Sequence, residues 1–148
     1  MVAESRGVRA SRTVAEAMVR RPVVHPASLT VAEARHALDD PHRHLLLIVS
    51  GGRLLGTVTR DDVAGTTDDA APALTCARLV GRLAQPHQPL EPLQDAMVRA
   101  GERRRAVVDE HGVLLGLLCL KASASGFCTD AGIAARRASV HLAPRPTR

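Results

Sequence analysis

The chain contains no tryptophan and no tyrosine, and its single phenylalanine is Phe127. A core must therefore be built from Leu, Val, Ile and Ala, and a planar ligand would lie between aliphatic walls. Lysine is almost as scarce: Lys121 stands alone beside 19 arginines, in 148 residues of net charge +5. A basic balance favours anionic partners such as phosphates, nucleic acid or a membrane surface. An Ala- and Arg-rich composition can also follow from genome base bias, with arginine as the default surface cation. The missing aromatics argue against nucleic acid held by base stacking.

Cysteine is sparse and poorly spaced. Cys76, Cys119 and Cys128 are odd in number and contain no C-x-x-C pair, so neither a disulfide framework nor a zinc site follows. Reduced thiols and a cytoplasmic location are the expectation. No apolar run approaches the ~18 residues of a membrane-spanning helix, and Met1 to Arg12 lacks the apolar segment of a secretory signal. No nucleophile elbow, P-loop, Ser-His-Asp order or paired-carboxylate site can be argued, so no enzymatic activity is expected. His42-Arg43-His44 has no third ligand of the right type nearby and reads as a surface turn, with no metal. The basic clusters Arg20-Arg21 and Arg103-Arg104-Arg105 read as solvated.

What is present is a repeat. Leu45 to Val58 and Arg105 to Leu118 match around glycines, with Gly52 opposite Gly112 and Gly56 opposite Gly116, both 60 residues apart. Each reads as a strand, a tight turn (Ser50-Gly51-Gly52 or Glu110-His111-Gly112) and a second strand, hence a β-hairpin. An amphipathic helix precedes each hairpin. Thr30 and Glu33 form a capping box ahead of Val31, Ala34 and Leu38. In the second copy Pro92 fits the first helical position, followed by Leu93, Ala96, Met97 and Ala100. A shorter helix leads each copy: Thr13 and Glu16 box one, and Thr75 caps another carrying Cys76, Leu79, Val80 and Leu83. Val23-Val24-His25 forms a short strand between prolines, while Ala84 to Pro89 offers a weak one at best. A last helix starts near Asp61, and another is expected from Thr129 through Arg137.

This order resembles the CBS domain family, as a tandem pair. Val14 to Met18 resembles the family's leading helix, Val23 to Ala34 its strand-to-helix passage, Ala106 to Gly116 its hairpin, and Gly56 to Asp62 its exit into a helix. The resemblance implies an α/β (α+β) fold of two CBS repeats. Each is a small sheet with flanking helices, and the two pack about a pseudo-twofold axis with two related clefts between them. The expected organisation is a disordered N-terminal arm (1–12), repeat one (13–64), a linker (65–74), repeat two (75–122) and a partly disordered extension (123–148).

The resemblance also implies a function: a regulatory module that binds an adenine nucleotide or related adenosyl ligand and signals by contact with a protein effector. Ligand candidates are AMP, ADP, ATP and S-adenosylmethionine, with no resident cofactor; pairing into homodimers is implied too. The alternative is a structural dimerisation module with a vestigial cleft. The sharpest motif is Gly56-x-x-Thr59-x-x-Asp62. It resembles the family's ribose-binding pattern, in which a carboxylate accepts from vicinal hydroxyls and a hydroxyl meets sugar or phosphate. Arg60 could neutralise a phosphate. By the same resemblance Val23, Val24, His25, Leu46 and Leu47 would line the adenine. Read locally, Thr59 or Asp61 is a helix cap, Asp62 a solvated first-turn acid, and the five apolar or imidazole positions are strand packing. Copy two has Cys119 and Ala122 where copy one has Thr59 and Asp62, so one cleft should dominate. Lys121 could still offer a positive charge to a phosphate.

Overall fold

The computed structural model describes residues 12–128. The arm, and the helix expected from Thr129, lie outside the described residues.

Copy one begins with α1 (Val14–Ala17), where Glu16 Oε1 accepts from the Thr13 N–H at 2.8 Å. Helix α2 (Val31–Ala37) carries the full reciprocal box: the Glu33 N–H donates to Thr30 Oγ1 at 3.1 Å and the Thr30 N–H to Glu33 Oε1 at 2.9 Å. These bonds satisfy N–H groups that a helix start leaves without partners. Strands β1 (Leu46–Ser50) and β2 (Arg53–Val58) then form an antiparallel hairpin. Its turn needs left-handed backbone at Gly51 and Gly52, with φ of 58° and 80°. Helix α3 (Arg60–Ala64) closes the copy.

Copy two comprises a 3-10 helix (Ala73–Cys76), β3 (Leu83–Ala84), α4 (Leu90–Ala100) and the hairpin β4 (Arg104–Val108) to β5 (Leu114–Cys119). Strand β3 lies parallel to β4, as His25 lies parallel to Ile48 in copy one. Asp109 Oδ1 organises the second turn by accepting from the N–H groups of His111 (2.8 Å) and Val113 (2.9 Å).

Three sequence expectations need correction. Thr75 does not cap a helix through Leu83: it sits inside the 3-10 helix, Val80 is 93% exposed, and Gly81 at φ +79° turns the chain into β3. Pro92 is the third residue of α4, not the first, because Pro89 holds the cap position. The strand of copy two is Leu83–Ala84 and ends where the weak strand offered by Ala84 to Pro89 would begin.

Bridges between the copies define their symmetry. Thr13 pairs with Pro89 and Thr30 with Pro72; Val19 pairs with Leu117 and Arg78 with Thr57. These pairs interchange when Thr13, Val19 and Thr30 are matched to Pro72, Arg78 and Pro89, each 59 residues on (72 − 13), and Thr57 to Leu117, 60 on. The extra residue falls in the second hairpin turn. The tips meet across the axis through Leu54 N–H to Gly112 O and Leu114 N–H to Gly52 O, both 2.9 Å.

Each leading segment thus attaches to the other copy. Val14 and Ala17 are buried with Met97, Val107 and Leu118 of copy two, whereas Ala73 is buried with Val31, Ile48 and Val58 of copy one. A third cluster, Leu45, Leu47, Leu54, Ala106 and Val108, fills the space between the two hairpins. Leu46 and Leu47 face different clusters because alternate strand residues point to opposite faces.

Candidate functional site

A cleft of about 470 Å³ opens beside the start of α3. It is lined by Thr59, Asp61 and Asp62 of copy one, by Arg78, Gly81 and Arg82 before β3, by His44 and Leu45 before β1, and by 101–104 at the start of β4. The exchanged connection explains the company: Arg78 is bridged to Thr57 in β2, which lays the segment through Arg82 beside the start of α3.

Thr59 caps α3. The Asp62 N–H donates to Thr59 Oγ1 at 3.3 Å, and the Thr59 N–H donates to Asp62 Oδ2 at 2.8 Å. The Thr59 hydroxyl accepts in this bond, which leaves its own proton free for a further acceptor. Asp62 is only 4% exposed and already has a cation: Arg82 donates from Nη1 to Oδ2 (2.6 Å) and from Nη2 to Oδ1 (3.1 Å). Arg78 adds a contact at 3.6 Å from its exposed side chain. Burial alone would raise the Asp62 carboxyl, but the hydrogen bonds from Arg82 and Thr59 together hold it below the usual carboxylate range. His44 is pushed down to about 4, first by burial and then by the charges of Arg104, Arg103 and Arg60 and by His42. Its imidazole is neutral at pH 7.

The residues expected at the site divide. Thr59 and Asp62 share the cleft. Arg60 points away, donating to the carbonyls of Leu38 (3.0 Å) and Asp40 (2.8 Å) just beyond α2. Leu46 and Leu47 are buried in two separate cores and do not line the cleft. Val23 and Val24 are each 47% exposed, and His25 is held against β1 by its N–H to Leu47 O (2.8 Å). By the 59-residue correspondence Val23, Val24 and His25 match Arg82, Leu83 and Ala84, which places them on the opposite side of the pseudo-twofold. Sequence reasoning missed Arg78 and Arg82, and read His44, Arg103 and Arg104 as a turn and a solvated cluster.

The corresponding position of copy two is built differently. Cys119 stands for Thr59 and Ala122 for Asp62. Instead of starting a helix, the chain turns back through Lys121 to Gly126, pairs Leu120 with Phe127, and buries Cys128 against Cys119 and Val19. The Cys128 N–H donates to Cys119 O at 2.7 Å. Val19 matches Arg78, so Cys128 packs among the counterparts of the first cleft's residues. Lys121 is exposed. Among the described residues no group of three or more His, Cys, Asp or Glu could hold a metal, and no helix is long and apolar enough to cross a membrane.

Comparison with known proteins gives a consistent picture of the fold. The CBS domain model matches residues 14–66. The CBS pair domain of the putative Mg2+ transporter SO5017 from Shewanella oneidensis MR-1 has TM-score 0.61 at 22% identity, over 81% of this chain and 68% of that one. A putative acetoin utilization protein (AcuB) from Vibrio cholerae has TM-score 0.64 at 19% identity, over 91% and 98%. The CBS domain pair of protein MJ0100, solved with 5′-methylthioadenosine and S-adenosyl-L-methionine, has TM-score 0.59 at 17% identity, over 87% and 98%. No curated protein matches by sequence.

Proposed function

We propose that this chain, which matches the CBS domain model over residues 14–66, is a regulatory module that binds an adenine nucleotide or related adenosyl ligand in the cleft over Thr59. One observation carries the reading: the Thr59 hydroxyl and the Asp62 carboxylate, three residues apart, face a common cleft with arginines from the other copy. The cleft volume, about 470 Å³, falls within the ~300–1,000 Å³ of small-molecule sites. The adenosyl ligands of the MJ0100 pair lend support by likeness of fold. A ligand there touches both copies, so its binding energy biases their packing, and a protein effector reads that bias by contact. Action in the cytoplasm as a homodimer of pairs, without catalysis, belongs to the same reading.

The test is calorimetric titration of the folded chain with AMP, ADP, ATP and S-adenosylmethionine. Binding of at least one, weakened by Thr59→Val, is the expected result; heat from none of the four overturns it. A second reading, a structural dimerisation module, is favoured by the fact that both Asp62 oxygens are already occupied and that Cys128 fills the counterpart position. Sedimentation would then show a dimer indifferent to all four ligands.

A further inference from the structure

We propose that this cleft selects its ligand by phosphate charge, taking phosphorylated nucleotides and rejecting neutral or cationic adenosyl compounds. The inference rests on the nucleotide reading above and narrows its ligand class.

Four arginines line the cleft: Arg78, Arg82, Arg103 and Arg104. All come from copy two. Arg78 and Arg82 stand where copy one has Val19 and Val23, so their charge is peculiar to this side of the axis, whereas Arg103 and Arg104 share the cleft with their own counterparts, His44 and Leu45. Arg103 and Arg104 are tied to carbonyl oxygens, of Leu120 at 3.0 Å and of Arg103 and His42 at 3.0 and 3.2 Å. Neither meets a carboxylate among the described residues. Three acids line the cleft against these four arginines: Glu102 is claimed by Arg105 outside the cleft at 2.9 Å, Asp62 by Arg82, and Asp61 is exposed in the first turn of α3. His44 is depressed first by burial and then by the neighbouring charges, Arg104 and Arg103 foremost.

The Arg82–Asp62 pair sets the order of events. Both carboxylate oxygens are engaged, and a neutral ribose diol offers weaker hydrogen bonds than the bidentate guanidinium it would displace. A phosphate can draw the guanidinium of Arg82 to itself, freeing a carboxylate oxygen for the sugar. An adenosyl ligand without phosphate has nothing to offer Arg82, and the sulfonium and ammonium of S-adenosylmethionine are repelled by the same arginines.

The experiment titrates the full chain calorimetrically with ATP, ADP, AMP, adenosine, S-adenosylmethionine and inorganic tripolyphosphate, at low salt and at about 0.5 M salt. Expected is an affinity rising from AMP to ATP, with adenosine and S-adenosylmethionine weaker than ATP by at least about tenfold, narrowing in high salt. The exposed Arg78→Gln and the pair Arg103→Gln with Arg104→Gln should each weaken ATP severalfold and leave adenosine unchanged. Adenosine or S-adenosylmethionine binding as tightly as ATP overturns the charge selection while the nucleotide reading stands. Tripolyphosphate binding with no adenine compound binding overturns both readings and leaves only an anion site. Binding of none overturns both.

Discussion

At the scale of the residue, Asp62 and Arg82 show how one pair can serve stability and recognition together. A carboxylate 4% exposed is tolerable because an arginine donates to both of its oxygens. Arg82→Met should cost about 2 kcal/mol by chemical denaturation, somewhat below a fully buried pair because Arg82 is partly exposed. The pH dependence has a definite sign. A carboxyl held low when folded adds stability above its ordinary range and loses it as pH falls through the folded value. In Arg82→Met, burial acts with less opposition, so acid destabilisation should begin at higher pH than in the natural chain. Denaturation midpoints measured from pH 7 to pH 3 would show that upward move, and an unchanged onset would contradict it.

His44 gives a second prediction at this scale. Its folded pKa of about 4 lies below the ordinary 6.5. The folded state therefore resists protonation, and stability should fall as pH drops from about 6.5 to about 4, then level off with respect to this group. Following the His44 ring signals by NMR through that window should give a midpoint near 4; titration near 6.5 would mean that its burial and its arginine surroundings are not as described.

At the scale of the element, the contacts between a leading segment and the opposite hairpin are close enough to depend on missing side chains. A Cβ on Gly56 would stand 2.6 Å from Ala77 Cβ, and one on Gly116 would stand 2.6 Å from the Val19 carbonyl oxygen. Gly56→Ala and Gly116→Ala should each lower stability by about 1–3 kcal/mol, the usual cost of overpacking. Their repair differs. Adding Ala77→Gly should restore much of the loss at Gly56, whereas the obstacle at Gly116 is backbone and no second substitution removes it. Paired thermal melts of the single and double variants check this directly.

The same scale shows what the sequence could and could not reveal. Helix α2 and both hairpins were legible because their signals are local: a reciprocal box at Thr30 and Glu33, and glycines at the turns. The Thr59–Asp62 half of the cleft was legible for the same reason. The segment after Pro72 misled because Cys76, Leu79, Val80 and Leu83 happen to fall at helical spacing, while its structure is set by β2 of the other copy. Arg78, Arg82 and His44 were hidden for that cause, since they join Asp62 only through the exchange. A better alignment of the copies, with Pro72 and Pro89 opposite Thr13 and Thr30, would have set Arg82 opposite Val23 and exposed the difference in charge.

At the scale of the whole molecule, the two copies cannot be separated without opening both cores. A fragment ending at Thr67 keeps α2, β1 and β2 but loses Ala73, which is fully buried against them, and leaves α1 with no hairpin to cover. The complete chain should melt in one cooperative step. The fragment alone should show neither a cooperative melt nor protected amides in β1 and β2. Calorimetry of the chain and hydrogen exchange of the fragment test this, and a monomeric fragment with a sharp transition would contradict it.

A single unit of this kind is left short of a wall that only its like can supply. On its own it would have to meet a twin, each lending the other its opening turn, and such a meeting depends on how many molecules are present. Tethering the two on one chain removes that dependence, since a short tether holds its ends at effective concentrations of roughly millimolar. It also freed the two hollows to diverge: one could gather arginines while the other was filled by a cysteine.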